Sequence, residues 1–130
     1  MHMLKVPAII KHGEFILCVQ RPYNKLPYIS NKFEFPGGKI EASETLEEAL
    51  QRELSEELNL KISEMQFFLT VNYQYPDFKL LMHSILVNVN SKLITLNEHI
   101  SQKWLLPKNI LELDWAAADL PIVHKLMDNV

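Results

Sequence analysis

The reading turns on Gly38-Lys39-Ile40-Glu41-Ala42-Ser43-Glu44 and, after Thr45 to Gln51, on Arg52-Glu53-Leu54-Ser55-Glu56-Glu57-Leu58-Asn59-Leu60. The second half has a helical pattern. Leu46, Leu50, Leu54 and Leu58 recur every four residues, and at roughly 100° per residue they share one broad arc that should meet a core. Ser43 is the expected N-cap, and Glu44 and Glu47 favour the first turns, so a helix is predicted over Ser43–Leu58. Asn59 then tolerates the left-handed backbone of a helix end. Glu53 and Glu57 project into the leucine arc, and Glu56 lies just beyond its margin. Carboxylates at i, i+3 and i+4 repel one another, and bringing them toward an apolar face is costly without a cation. Their hard oxygens suit Mg²⁺ or Mn²⁺. Glu47 and Glu48 read instead as solvated. Two of the chain's three glycines are the adjacent pair Gly37-Gly38. Placed between a strand and this helix, they indicate a sharp turn or a close approach of backbone to a ligand.

Outward from this segment, strands are predicted at Val6–Ile10 and Phe15–Val19, joined through Lys11-His12-Gly13-Glu14 with Gly13 supplying the turn. Gln20 to Lys32 is polar and proline-punctuated and reads as a loop. A short strand at Phe33-Glu34-Phe35 leads into Pro36-Gly37-Gly38. Beyond the helix come β-rich runs at Met65–Tyr75 and Leu80–Val89, then Lys103–Leu106, then a final helix over Leu120–Met127 with Pro121 in its first turn. Strands, helix, strands and helix in a short chain imply an α/β or α+β fold with helices covering a mixed sheet.

With 130 residues, the expectation is one domain over 1–130. A hydrophobic share of 48% against 22% charged permits a core and argues against disorder. The net charge of −3 lacks the basic face that a nucleic-acid polymer requires, though a metal could still bring in a phosphate-bearing small molecule. The single cysteine, Cys18, falls in an apolar strand-like run and reads as a buried thiol. No apolar run reaches the roughly 18 residues of a membrane span, and the first residues do not resemble a signal peptide, so a cytoplasmic location with no membrane partner is the expectation.

The quoted segment resembles the Nudix box, G-x5-E-x7-R-E-U-x-E-E-x-G-U with U aliphatic; only Asn59, standing in place of glycine, departs from it. The resemblance implies a mixed β-sheet between helices and a Mg²⁺-dependent phosphoanhydride hydrolase. It implies that Glu53, Glu56 and Glu57 are metal-binding and catalytic carboxylates with the Gly38 carbonyl nearby, and that Arg52 and Glu44 form a structural ion pair. Similarity to the MutT-like branch extends further. Phe33 to Lys39 resembles that branch's strand leading into the box, bringing Phe35 and Lys39 toward substrate. Arg21 stands where relatives contact phosphate. Tyr73 to Asp77 resembles the base-pocket strand, with Tyr75 and the nearby Phe78 as substrate contacts. Glu98 resembles a loop carboxylate used as an extra metal ligand or candidate base. Asp114 to Val123 resembles the C-terminal motif in which the Asp119 position touches the nucleobase; capping of the last helix is the other reading of Asp119.

The activity so implied is hydrolysis of a nucleoside triphosphate to a monophosphate and pyrophosphate, by a monomer or homodimer acting on oxidised purine nucleotides such as 8-oxo-dGTP. A CTP or modified dCTP pyrophosphohydrolase, or a hydrolase of another nucleoside diphosphate derivative, is the alternative. A non-catalytic nucleotide sensor is the remote one, since such domains lose box glutamates that this chain keeps. An ionised Asp119 would only accept hydrogen bonds and so favour bases that present donors.

Overall fold

In a computed structural model that describes residues 2–128, the alternation of the first strand sets the layers. Strand β1 (His2–His12) sends Val6, Ala8 and Ile10 to one face and Ile9 to the other. β2 (Phe15–Gln20) repeats this, with Leu17 and Val19 on the first face and Ile16 and Cys18 on the second. Each face is therefore half of a core, and each needs a cover. The first is closed by helix α1 (Leu46–Leu58) through Ala49, Leu50, Leu54 and Leu58. The second is closed by helix α2 (Leu120–Asp128) through Ile122, Val123 and Leu126, together with the 3₁₀ turn at Pro107–Glu112. The expected mixed sheet between helices is what forms.

The other strands are β3 (Phe33–Glu34), β4 (Gly37–Lys39), β5 (Gln66–Gln74), β6 (Lys79–Asn88) and β7 (Ser101–Leu105). The main order is β3-β2-β1-β6-β5, with β4 paired to β1 and β7 to β2. Among the described strand pairs, β1 and β6 run parallel and the others antiparallel. β1 starts four residues before the predicted Val6 because His2 to Lys5 pair with Lys79 to Met82, a neighbour that local patterning does not reveal. The β1–β2 hairpin turns at Gly13, whose φ of +61° suits glycine. Cys18 is fully buried, and burial pushes its thiol up to about 12, which makes it an inert core group.

The helix boundary is a correction. Ser43 is not the N-cap: it lies in a left-handed conformation (φ +74°), within a tight turn where Glu44 N–H donates to the Glu41 carbonyl. The cap is Thr45, whose hydroxyl accepts from Glu48 N–H at 3.1 Å while the Glu48 carboxylate accepts from Thr45 N–H at 2.9 Å. This capping box satisfies two otherwise orphaned donors. At the other end Asn59 adopts φ +52°, ψ +37°, the left-handed conformation expected of it.

Candidate active site

Where β1, β4 and α1 meet, the glycine pair brings backbone against carboxylate. Gly37 has φ +144°, and a Cβ there would stand 2.2 Å from the Val6 carbonyl oxygen, so only glycine fits beside β1. At Gly38 a Cβ would stand 2.4 Å from the Glu53 carboxyl. That side chain therefore lies directly on the β4 backbone.

The helical wheel placed the glutamates correctly. Glu57 is buried at 4% exposure among the residues of α1 that face the sheet, and Glu53 is half-buried beside it. Glu56 is exposed. Burial, with Glu53, Glu34 and Glu98 close by, pushes the Glu57 carboxyl well above the ordinary range. Arg52 governs the outer side. Its Nε and Nη2 hold Glu44 at 2.7 and 3.0 Å, Nη2 also donates to the Lys39 carbonyl at 3.0 Å, and Nη1 reaches Glu53 at 3.0 Å and Glu56 at 3.5 Å. The expected Arg52–Glu44 pair is present, but it joins the pre-helix turn to α1 instead of spanning two helical turns.

Glu53 and Glu57 form one wall of a cleft of about 360 Å³, whose other walls include Gly38, Lys39, Arg21 and Glu98. Of the expected metal-side residues, only Glu56 is not on its surface. A buried polar network crosses the floor: Arg21 Nη1 meets Glu34 Oε1 at 3.3 Å, and His99 Nε2 meets Glu34 Oε2 at 2.9 Å. Burial works to raise the Glu34 carboxyl, yet His99, Lys5 and Arg21 outweigh it and hold the group below its ordinary value. Arg21 Nε and His99 Nδ1 are buried with no hydrogen-bond partner among the described residues, so the floor retains unused hydrogen-bonding capacity.

A second pocket, of about 260 Å³, adjoins the first and shares Lys5, Arg21, Glu34 and Lys39 with it. Its walls are mostly apolar and include Tyr75, Phe78 and Asp119. Tyr75 stacks on Tyr28 at a centroid separation of 5.0 Å, and its hydroxyl accepts from Ala118 N–H at 3.0 Å. Tyr28 in turn donates to Asp77, drawing the 22–32 loop against this wall. Asp119 is buried; among the described residues its side chain makes no hydrogen bond to the first turn of α2, and its Oδ2 accepts from Phe35 N–H at 3.1 Å. Burial, with Glu34 nearby, pushes its carboxyl up to about 8. This burial favours the protonated form, against which the expectation of an ionised, acceptor-only Asp119 has to be weighed. The Phe35 ring stacks on Trp115 at 4.7 Å and lines neither of these two pockets; its N–H orients Asp119 beside a small cavity that Lys5, Glu34 and Gly38 also line.

Sequence reasoning did not single out Lys5, Glu34 or His99 as cleft groups. Glu34 sat inside a highlighted stretch and His99 beside Glu98, so adjacency was available as a signal. Lys5 carried none, since only the β1–β4 register sets it opposite Lys39.

The donor set suits a hard divalent cation. Glu53, Glu57 and Glu98 offer only oxygens, and the basic side chain that reaches Glu57 is His99, with Nε2 at 3.9 Å. Among the described residues no three acidic, histidine or cysteine groups already converge into a metal cage, and Arg52 occupies Glu53 and Glu56 instead.

An acidic cleft opening beside an apolar pocket, on a mixed sheet covered by two helices, suits a small molecule that joins phosphates to an organic group. The chain belongs to the NUDIX domain family, whose model matches residues 1–126. It is 32% identical to an 8-oxo-dGTP diphosphatase of Buchnera aphidicola subsp. Schizaphis graminum, over 93% of this chain and 89% of that one. It is 30% identical to a CTP pyrophosphohydrolase of Escherichia coli, over 94% and 89%. Among solved structures, it resembles the MutT Nudix hydrolase of methicillin-resistant Staphylococcus aureus 252 with a TM-score of 0.72 and 32% identity, covering 100% of this chain and 98% of that one. The protein is a Nudix hydrolase, and hydrolases of this family generally need a divalent metal.

Proposed function

We propose that this protein is a Mg²⁺-dependent nucleoside triphosphate pyrophosphohydrolase that clears oxidised purine nucleotides of the 8-oxo-dGTP kind, releasing a monophosphate and pyrophosphate. The observation that carries the reading is the shared wall between the two pockets. A carboxylate cleft suits metal and phosphates, an apolar pocket suits a base, and Arg21 and Lys39 border both. The relatives named for 8-oxo-dGTP support the choice of base. The CTP pyrophosphohydrolase relative, of nearly equal similarity, favours cytidine triphosphates as the second reading.

In this reading Glu53, Glu56, Glu57 and Glu98 hold the metal with the Gly38 carbonyl. Mn²⁺ is an acceptable substitute. The metal supplies positive charge against the phosphates during in-line attack by water. Arg21 and Lys39 take phosphate oxygens, and one cleft glutamate accepts the proton of the attacking water. Tyr75 and Phe78 flank the base, and Asp119 reads its edge. Residues 1–130 are taken as one such domain, acting in the cytoplasm as a monomer or homodimer, without a nucleic-acid or membrane partner. Among the described residues no helix is long and apolar enough to cross a membrane.

The test is a panel of normal and oxidised nucleoside triphosphates, nucleotide sugars and dinucleoside polyphosphates with Mg²⁺, with products separated by chromatography. Preferred conversion of an oxidised purine triphosphate to monophosphate and pyrophosphate is expected. Release of inorganic phosphate, or turnover confined to sugars or dinucleotides, overturns the reading.

A further inference from the structure

The C-terminal turn of α1 is closed from outside the helix, largely by one residue. A helix ends with four carbonyls that lack intrahelical partners. Here Ser55 O accepts from Asn59 N–H at 3.1 Å, within the helix's own C-cap. The next three are met as follows: Glu56 O by Asn97 Nδ2 at 2.8 Å, Glu57 O by Asn97 N–H at 2.9 Å, and Leu58 O by Thr95 N–H at 3.2 Å. Asn97 thus takes the carbonyls of two consecutive residues whose side chains carry the proposed metal chemistry. Its second amide hydrogen goes to Asn59 Oδ1 at 3.0 Å.

The orientation of both amides is fixed by chemistry. A backbone carbonyl only accepts, so Asn97 must present nitrogen to Glu56 O, and Asn59 must then present oxygen to that nitrogen. Asn59 occupies the second of the two box positions where the usual residue is glycine. Glycine would take φ +52° as easily, but it offers no side-chain acceptor. The departure therefore has a partner. Directly after Asn97 come Glu98, on the cleft wall, and His99, which is 2.9 Å from Glu34 and 3.9 Å from Glu57.

We propose that Asn59 and Asn97 form a positioning clamp, in which the side-chain amide of Asn59 locks Asn97 onto the end of α1 and so registers Glu98 over the carboxylate cleft. The catalytic half of this inference rests on the role given to Glu98 under the proposed function. The clamp itself rests on the four contacts above.

The decisive variant is Asn59→Gly, which keeps the helix-end backbone and removes only the acceptor. Asn59→Asp keeps an acceptor and serves as the conservative rescue. In Asn59→Gly, hydrogen–deuterium exchange should quicken at amides 95–99 while the amides of Leu50 and Leu54 stay protected. Mn²⁺ affinity, read by titration without nucleotide, should weaken, and kcat should fall by about 5-fold, the usual worth of one net hydrogen bond, with KM held within about 2-fold. Asn59→Asp should restore all three. On a Glu98→Gln background, Asn59→Gly should cost little further turnover. Unchanged exchange at 95–99 overturns the clamp. A loss of kcat as large on the Glu98→Gln background as on wild type overturns its action through Glu98. Wild-type turnover in Glu98→Gln alone overturns the role given to Glu98, and with it the catalytic half of the inference, while the exchange result still decides the clamp.

Discussion

Arg52 grips Glu44 through two nitrogens at once, Nε to Oε2 at 2.7 Å and Nη2 to Oε1 at 3.0 Å, while its third nitrogen lies 3.0 Å from Glu53. One guanidinium thus ties the turn before α1 to the helix and restrains a cleft carboxylate. Lysine has a single point charge and cannot make this fork. Arg52→Lys is expected to melt below wild type and to slow turnover through a misplaced Glu53.

The same pair has a pH signature. Arg52, with the Glu41 turn, holds the Glu44 carboxyl down at about 2 against an ordinary 4.5. A depressed carboxylate adds stability that is complete above about 4.5 and is lost as pH falls through about 2. The melting-temperature gap between wild type and Arg52→Gln should therefore be open at pH 7 and close as pH approaches 2. A gap that does not vary with pH would assign the loss to packing of the arginine stem.

The cleft carboxylates should serve the chemistry at the expense of the fold. Glu57 is buried beside Glu53, with Glu34 and Glu98 near enough to resist its ionisation. Glu57→Gln is expected to cut turnover by orders of magnitude and leave a folded protein at least as stable without metal. Mg²⁺ or Mn²⁺ at ~100-fold above Kd should stabilise wild type by about 2.7 kcal/mol, and Glu57→Gln by much less. Melting curves with and without metal decide it; equal shifts in both proteins would place the metal elsewhere.

The adjacent glycines should fail in different ways. At Gly37 an added Cβ meets backbone, the Val6 carbonyl oxygen at 2.2 Å, at a φ of +144° that side chains avoid. At Gly38 the three nearest atoms all belong to the movable end of Glu53. Gly37→Ala should be severely destabilised. Gly38→Ala should fold and melt near wild type but lose most activity, because Glu53 is displaced. Circular dichroism melts alongside turnover separate the two outcomes.

Much of the site was legible because a helix converts spacing into direction. The leucine period fixed which side of α1 is buried, and the same arithmetic put Glu53 and Glu57 toward the core and Glu56 at the margin. The N-cap was missed because Ser43 and Thr45 are both good caps, and the choice was made by the Glu41–Glu44 turn. The packing of the Phe35 ring was not legible because its partner, Trp115, comes from another element. Lys5 was invisible because its place in the cleft depends on strand register alone. The ionisation of Asp119 could not be read either, since burial is a property of the assembled core.

Asp119 supplies the last prediction, in stability and in specificity. Its carboxyl is raised from 3.8 to about 8, so the folded protein binds a proton that the unfolded chain releases across that window. The sign follows: stability from this group is full below about 3.8, declines as pH rises, and is gone above about 8. At about 1.4 kcal/mol per unit, the window is worth up to roughly 6 kcal/mol. Asn can still accept from Phe35 N–H and does not titrate, so Asp119→Asn should match wild type near pH 4 and melt progressively higher than it toward pH 8. The same proton bears on the base. Below about 8 the acid both donates and accepts, and above it the carboxylate only accepts. In wild type, the ratio of kcat/KM between guanine-type and uracil-type triphosphates should rise as pH passes 8, because bare carbonyls lose their only donor while the N–H groups of guanine keep an acceptor. In Asp119→Asn the ratio should stay flat, and in Asp119→Ala discrimination should shift by ~10-fold, as expected for a buried hydrogen bond left unmade. If all three proteins discriminate alike at every pH, Asp119 only braces the Phe35 strand and the base is read elsewhere.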